Sequence, residues 1–341
     1  MTLKRIKTMK YIQFAFSVLL LGLLVSCDSW TTMEVDKPTD LLNSARTDTY
    51  YTNLRAYKHR SHPIVYGKWA GWTGTGATTQ GQLIGLPDSL DIIGVMETTA
   101  SYSAVQKDDM KMVQERKGTK VILAVSVTNI GDMLGGDRIV NTPEEYAESL
   151  LAIVAENGFD GLDIELRPQI NGTGSIAGHA ANTQSFVQTL AKGLGPKSGT
   201  QGLLLLSGEL SAVEVSELSY FNYWVSYAFG IQSDAELDKA LRSLSESLTP
   251  TYLYEETAKK VIFMEDFLTN PNGGVPFTDR FNNTMFSLEG IARWLPLNNG
   301  RYINKAGVGI YRMDQEYTMD GFNSTFPYLH QAIQIVNPSI K

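Results

Sequence analysis

Residues 158–168 read GFDGLDIELRP, and this stretch decides the fold class of the 341-residue chain. Within it, Asp163, Glu165 and Arg167 alternate with leucine and isoleucine. Successive side chains of a β-strand point to opposite faces, so the three charged residues share one face and the apolar residues share the other. In a closed barrel the interior is the face that can be wetted, while helices cover the outer face. The stretch therefore predicts a barrel strand with charged residues pointing inward.

Seven other short apolar runs alternate with amphipathic segments, a pattern that predicts a single (β/α)8 TIM barrel, an α/β fold. An open, doubly wound sheet is the rival arrangement, but no G-x-G-x-x-G motif follows the first predicted strand. The predicted strands are His62–Lys68, Ser89–Glu97, Lys120–Val127, Gly158–Leu166, Leu203–Glu209, Tyr223–Phe229, Lys260–Phe267 and Ala306–Arg312.

The segments between the strands carry helix signals. The clearest start is Thr142, an N-cap residue followed by Pro143 and two glutamates, and the helix is predicted to run to Gly158. The other predicted helices are Asn182–Leu194, Asp234–Leu248, Leu288–Trp294 and Tyr328–Val336. Their spacing along the chain fits an outer layer of helices around the barrel.

The N-terminus has the pattern of a lipoprotein signal peptide. Four basic residues precede the apolar run Tyr11–Val25, which is too short to span a bilayer comfortably. The run leads into Leu-Val-Ser-Cys ending at Cys27, a stretch that resembles a bacterial lipobox. We expect residues 1–26 to be a signal peptide, Cys27 to be lipidated, residues 27–50 to form a tether and residues 51–341 to form the barrel. The expected location is the cell envelope, lipid-anchored at the outer-membrane surface.

The charge of the chain argues against a nucleic-acid partner. The net charge is −7, and removal of the signal peptide would take away four basic and no acidic residues. Nucleic-acid binding calls for a basic patch, whereas a neutral ligand such as a sugar is compatible with an acidic chain. The four histidines have no metal-ligand spacing and no cofactor motif occurs, so neither a metal nor a cofactor is expected.

The stretch at 158–168 resembles the fourth-strand signature of glycoside hydrolase family 18, the chitinases and endo-β-N-acetylglucosaminidases, with the pattern D-G-x-D-x-D-x-E. Asp160, Gly161 and Asp163 match it, Glu165 lies where the family has its last Asp, and Arg167 lies where it has the catalytic Glu. The resemblance implies that the acid is missing, because a guanidinium has no proton to give to the leaving oxygen. Alternatively, Arg167 only pairs with Glu165 in an ion pair that holds the barrel together.

Two other strands carry parts of the resemblance. On the sixth predicted strand, the stretch from Tyr227 to Gly230 reads YAFG and resembles the family's Q-A-Y-G, so that Phe229 would replace the tyrosine of the family. Tyr311 lies near the end of the eighth predicted strand, where the family places a Trp beneath the sugar. We expect Tyr227 and Tyr311 to contact the glycan, since a tyrosine ring stacks on the apolar face of a sugar.

Residues near other strand ends complete the predicted glycan site. Trp69 and Trp72 lie in a glycine-rich loop after the first strand and are predicted to be stacking platforms, with plugging of the barrel as the alternative role. Carboxylates near strand ends are predicted to bind sugar hydroxyls or to supply a displaced acid, and these are Glu97, Glu209, Glu265 and Asp266.

The resemblance implies a non-catalytic, surface glycan-binding lipoprotein of the kind that Bacteroidetes encode beside family 18 endoglycosidases. Its expected ligand contains N-acetylglucosamine, as in an N-glycan or a chitin-like chain. Its other expected partners are the membrane, through the lipid, and an outer-membrane glycan-import complex. One alternative is an active endo-β-N-acetylglucosaminidase or chitinase that uses Glu165 or another strand-end carboxylate as its acid. A scaffold for other outer-membrane proteins is a third alternative, which nothing in the sequence specifically supports.

Overall fold

The computed structural model describes residues 46–96, 101–134, 138–167 and 174–338. Eight parallel strands close into a barrel, each pairing with the next and the last pairing with the first. The predicted (β/α)8 TIM barrel is confirmed. The barrel strands are β1 (Ile64–Trp69), β2 (Ile92–Val95), β3 (Lys120–Val127), β4 (Gly161–Leu166), β5 (Leu203–Gly208), β6 (Tyr223–Tyr227), β7 (Val261–Asp266) and β8 (Gly307–Tyr311).

Helices cover the outside of the barrel. Between β5 and β6 the described chain has only the short 3₁₀ turns Leu210–Ala212 and Val215–Tyr220 in place of a long helix. Two small antiparallel ribbons, 276–286 and 297–302, lie between β7 and β8. The described helices are α1 (Asp48–Lys58), α2 (Ala104–Met112), α3 (Pro143–Asn157), α4 (Ala180–Leu190), α5 (Asp234–Leu248), α6 (Tyr254–Ala258), α7 (Ser287–Arg293) and α8 (Pro327–Val336).

The signals read from the sequence of α3 are those that bound the helix in the structure. The side chain of Thr142 accepts a hydrogen bond from the Glu145 backbone N–H at 3.1 Å, which satisfies a donor of the first turn. Pro143 occupies the first helical position. Gly158 ends the helix with φ 81°, a left-handed conformation that glycine adopts without steric cost.

The barrel interior holds an apolar layer that supports the charged residues of β4. The layer is built from inward-facing side chains, which are Tyr66, Ile92, Ile122, Leu205, Val225, Ile262 and Met264. Gly94 of β2 makes room for Tyr66, because a Cβ at that position would lie 2.4 Å from the Tyr66 hydroxyl. Leu162, Ile164 and Leu166 are buried on the opposite, outer face of β4. The inward face of β4 therefore belongs to Asp163 and Glu165, as the alternation in the sequence predicts.

The described chain begins within the segment that the sequence assigned to a tether. Helix α1 starts at Asp48 and buries Tyr51 and Leu54, so helical structure begins before the predicted barrel boundary at residue 51. The predicted signal peptide and Cys27 lie outside the described residues. None of the helices in the described part of the chain has the length and apolarity needed to cross a membrane.

Candidate functional site

Asp163 is the best-satisfied polar group at the carboxyl end of the barrel. Its side chain is fully buried, and its Oδ2 accepts a hydrogen bond from the Tyr66 hydroxyl at 2.6 Å. The Ser207 hydroxyl lies 2.8 Å from both carboxylate oxygens. Lys68 Nζ lies 3.0 Å from Oδ2. Because a buried carboxylate is costly without partners, these three contacts explain how an aspartate is accommodated inside the barrel.

Glu165 lies nearer the opening at the carboxyl ends of the barrel strands, which we call the mouth. Its carboxylate lies between two cations. Arg167 Nε donates a hydrogen bond to its Oε1, and Lys68 Nζ lies 3.7 Å from its Oε2. The side chain of Glu165 is 7% exposed and that of Arg167 is 55% exposed. The ion pair expected from the sequence is present. It places Glu165 in the wall and the Arg167 guanidinium at the opening.

Lys68 joins β1 to β4 and β6, since its Nζ also donates to the Tyr227 hydroxyl at 3.1 Å. Burial lowers the pKa of Lys68, but Asp163, Tyr227 and Glu165 outweigh that effect and raise its pKa above the usual range. Lys68 is therefore a permanent cation at neutral pH. Two cations and two carboxylates leave the cluster of Lys68, Asp163, Glu165 and Arg167 without net charge.

Tyr227 contributes a hydroxyl to the same cluster. It bonds both Lys68 and Arg167, and burial raises its pKa, so the hydroxyl stays protonated at neutral pH. From the resemblance we expected Phe229 to remove a hydroxyl from the sixth strand. The structure places another hydroxyl, that of Tyr227, two residues earlier, at the centre of the site.

Three aromatic rings form the rim of the mouth beside the charged cluster. The rings of Tyr227 and Phe229 stack with centroids 4.7 Å apart. The Tyr311 ring packs against both, at 6.1 Å from Tyr227 and 5.7 Å from Phe229. Phe229 is 40% exposed. Such a rim offers the apolar ring faces on which sugars stack, and it includes Tyr227 and Tyr311, whose contact with a glycan stays a prediction.

The prediction that Trp69 and Trp72 are stacking platforms for a sugar is wrong. Trp69 is fully buried and packs on Phe326, with ring centroids 5.9 Å apart, because it follows Lys68 by one residue and points to the outer face of β1. Trp72 is 3% exposed, packs against Tyr102 and donates from its indole N–H to Asp109. Neither ring is available to a ligand. Trp72 instead anchors the loop that follows β1.

The two carboxylates of β7, Glu265 and Asp266, point to opposite faces of the strand. Glu265 is fully buried on the outer face, where it lies against Gly274 and Ser287, so its predicted role at the mouth is wrong. Burial raises its pKa, as expected for a carboxyl group that faces a helix rather than water. Asp266 ends β7 beside Tyr311 and is partly buried, and its Oδ1 accepts from the Leu268 backbone N–H at 2.9 Å. Asp266 is therefore at the mouth, and its role toward a glycan stays a prediction.

Of the other predicted acids, Glu209 lies next to the cluster and Glu97 lies outside the described chain. Glu209 is exposed after β5, and with Tyr227 of the cluster it lines a cavity of about 540 Å³ that extends to Leu244 and Leu248 of α5. Glu97 lies outside the described residues. No group of three or more His, Cys, Asp or Glu side chains in the described ranges is arranged to hold a metal ion.

Lys68, Tyr66 and Ser207, which contact the carboxylates of β4, were not among the predicted site residues. A signal for the lysine was available, because β1 reads Ile-Val-Tyr-Gly-Lys-Trp and places one charged residue in an otherwise apolar strand. With a period of two, Tyr66 and Lys68 share a face. Which partners they meet depends on the neighbours across the barrel, and no local pattern contains that information.

Comparisons with known proteins agree on one family. The family model described as "Glycoside hydrolase family 18, BT1044-like" matches residues 29–335. Endo-β-N-acetylglucosaminidase F2 of Elizabethkingia meningoseptica is 25% identical over 309 residues, which cover 84% of this chain and 85% of that protein.

Solved structures show the same fold. A selenomethionine-labelled BT1044 variant matches with a TM-score of 0.73 at 22% identity, covering 86% of this chain and 94% of that chain. The apo endo-β-N-acetylglucosaminidase of Cordyceps militaris matches with a TM-score of 0.62 at 23% identity, covering 86% and 97%. A double mutant of the Cordyceps enzyme in complex with fucosyl-N-acetylglucosamine-Asn matches with a TM-score of 0.61 at 23% identity, again covering 86% and 97%.

Proposed function

The chain belongs to glycoside hydrolase family 18, in its BT1044-like group, and on that premise we propose that it binds glycans at the barrel mouth without cleaving them. The observation that carries the proposal is the pairing of Arg167 with Glu165 at the end of β4. In the family signature that the sequence resembles, the position of Arg167 holds the acid. Arginine has donors but no proton that it releases at working pH.

The environment of Glu165 supports the same conclusion. A general acid presents a proton to the leaving oxygen, whereas Glu165 accepts from Arg167 and faces Lys68, contacts that suit a proton-free carboxylate. Asp163 is fully buried beneath it with three partners of its own. Loss of a general acid lowers a rate by roughly 10²–10⁴-fold. An enzyme with this cluster would be slow at best.

The mouth supports a neutral glycan as ligand. Tyr227, Phe229 and Tyr311 offer ring faces for stacking, and the adjacent charged cluster offers Arg167 N–H groups to sugar oxygens without a net charge. Relatives named endo-β-N-acetylglucosaminidases, one of them solved with a fucosyl-N-acetylglucosamine-Asn ligand, support N-acetylglucosamine as a component. We infer that the ligand is an N-glycan or a chitin-like chain.

The test is incubation of the full-length protein, in mild detergent, with high-mannose and complex N-glycoproteins and with chitooligosaccharides. Mass spectrometry then identifies both the released products and the glycans retained by the protein. We expect intact glycan to be retained and no oligosaccharide to be released. Release that disappears in a Glu165→Gln variant would show an active enzyme with a displaced acid and would overturn the proposal.

We also propose that the protein is held in the cell envelope by a lipid on Cys27 and presents the barrel at the outer-membrane surface. The support is the basic, apolar and lipobox-like order of residues 1–27. Delivery of the captured glycan to an import complex would follow from that position. Metabolic labelling with a radioactive fatty acid should label the native chain and leave a Cys27→Ala variant unlabelled. Equal labelling of the two chains would refute the anchor.

A further inference from the structure

A second cavity of about 440 Å³ lies at the ends of β1 and β8. Its walls are the loop after β1, with Thr73, Thr75 and Gln80, and the turn after β8, with Arg312 and Asp314. Its volume falls within the roughly 300–1,000 Å³ of small-molecule sites. Threonine hydroxyls, glutamine amides and the Arg312–Asp314 pair line it together with glycines and Ala70, and no aromatic residue of the described chain is part of the lining.

The wall formed by the β1 loop is fixed before any ligand arrives. The Trp72 indole donates to Asp109 at 2.9 Å, and Gln106 Nε2 donates to the Trp72 carbonyl at 2.8 Å. The Thr73 and Gly74 backbone N–H groups both donate to the Gly81 carbonyl, at 3.0 and 2.8 Å. A wall that is already ordered loses little conformational entropy on binding.

The opposite wall is held by a paired charge. Arg312 donates from Nε at 2.8 Å and from Nη2 at 2.7 Å to Asp314, a bidentate arrangement. Asp314 also accepts from the Ala70 N–H at 3.1 Å, which ties the two walls together. Arg312 has φ 59°, a left-handed conformation that costs free energy for a non-glycine residue and is concentrated at functional sites.

The chemistry of this cavity favours a neutral polyol over an ion. Asp314 compensates the Arg312 cation, so an anion would find no excess positive charge here, and a cation would find no excess negative charge. Hydroxyls, amides and a rigid Arg–Asp pair match the donors and acceptors along the edge of a sugar ring. Without an aromatic platform, the sugar would be held by its edge and not by its face.

Residues of this cavity follow residues of the mouth closely in the sequence. Arg312 directly follows Tyr311 of the aromatic rim, and Ala70 lies two residues after Lys68 of the charged cluster. β1 and β8 are neighbours in the barrel, so both walls rise from adjacent strands. We infer that this cavity is a second subsite, which binds a further neutral sugar residue of a glycan whose N-acetylglucosamine end lies at the mouth. The inference rests on the proposed function.

The test uses calorimetric titration of the full-length protein with glycans of two lengths, N,N′-diacetylchitobiose and a high-mannose N-glycan. Thr75→Trp places an indole in the cavity from an exposed position, and Thr251→Trp adds the same indole at an exposed position between α5 and α6. We expect Thr75→Trp to weaken binding of the long glycan by about tenfold or more and to change binding of the short one by less than about twofold. The Thr251→Trp control should bind both like the native chain.

The outcomes distinguish failure of the second subsite from failure of the proposed function. If the native chain binds both glycans and Thr75→Trp changes neither affinity, the subsite is refuted and the glycan-binding function stands. Equal weakening of both lengths also refutes a separate subsite, because the mouth itself would then be disturbed. Binding of neither glycan by the native chain refutes the proposed function, and the subsite with it. A Gln80→Ala variant, which removes an exposed amide of the lining, should weaken only the long glycan as well.

Discussion

Lys68 Nζ lies 3.0 Å from Asp163 Oδ2, and both side chains are sealed from solvent inside the barrel. This contact links β1 to β4 across the interior. The pair of Glu165 and Arg167 lies above it, nearer the mouth. Burying a carboxylate or an ammonium alone carries a large desolvation free energy, which their mutual attraction offsets when the two are buried as a pair. The contact makes the cluster a structural unit as well as a candidate binding surface.

Lys68→Met should destabilise the protein by about 3–5 kcal/mol, the usual cost of removing one partner of a buried ion pair. The cause is desolvation, because Asp163 would keep its two hydroxyl donors but lose its counter-charge. Urea unfolding measures the change, with Lys239→Met on the exposed face of α5 as control. Adding Asp163→Asn to Lys68→Met should recover part of the loss. A Lys68→Met protein as stable as the control would contradict this account.

On the proposed function, Arg167→Glu should give the protein slow hydrolase activity. The substitution places a proton donor at the end of β4, and a general acid contributes roughly 10²–10⁴-fold in rate. Arg167→Gln, of similar length and without an acidic proton, should remain inactive. The measurement is release of oligosaccharide from a high-mannose glycoprotein, followed by mass spectrometry. Equal release by the two variants, or none by Arg167→Glu, would contradict the proposal that the lack of an acid at this position prevents cleavage.

Tyr311→Ala should weaken glycan binding by about 1–3 kcal/mol, because it removes a ring from the aromatic rim. Phe229→Ala should have a similar effect, since its exposed ring stacks on Tyr227. Tyr311→Phe keeps the ring and should retain most of the affinity. Titration with the retained glycan gives the dissociation constants. Native affinity in both alanine variants would place the ligand elsewhere on the barrel.

Because of Glu316, the protein should be less stable in mild alkali than in mild acid. It is fully buried and accepts hydrogen bonds from the backbone N–H groups of Tyr328 and Leu329 at the start of α8. Burial raises the pKa of Glu316 to about 8, against an ordinary value of 4.5. Between these values the folded state binds more protons than the unfolded state, so this contribution to stability is full below 4.5 and is lost as pH rises through about 8.

The test of that pH dependence is the difference in unfolding free energy between the native chain and Glu316→Gln from pH 5 to pH 9. The slope of this difference should approach about 1.4 kcal/mol per pH unit, with the native chain losing stability relative to the variant. Glu246→Gln, at an exposed position of α5, provides the control and should show no such slope. A flat difference for Glu316→Gln would show that the group is already ionised when folded.

Much of the fold follows from local patterns. All eight strands were predicted, and β3 has the predicted limits, Lys120–Val127. Helix α5 likewise has the predicted limits, Asp234–Leu248. The inward direction of Asp163 and Glu165 also follows, because charged and apolar residues alternate along β4 and only one assignment buries the apolar set against helices.

The errors at the site have a common cause. Trp69 and Glu265 stand one residue from inward-facing positions, after Lys68 and before Asp266, and so point to the outer face of the barrel. Strands buried on both faces are apolar on both, so their sequence does not indicate which set faces inward. Trp72 lies in a loop, where the two-residue alternation of strand side chains does not predict the direction of a side chain.

The sequence by itself determined the barrel, the charges inside β4 and the presence of an arginine where a family 18 signature has its acid. Only the tertiary structure decided that Lys68 lies between Asp163 and Glu165, that Tyr227, Phe229 and Tyr311 meet at one rim, and that Trp72 supports a loop. The physical reason is distance along the chain. Periodicity records the neighbours within a strand or a helix, whereas contacts between β1, β4, β6 and β8 arise only when the sheet closes and sets the register of each strand.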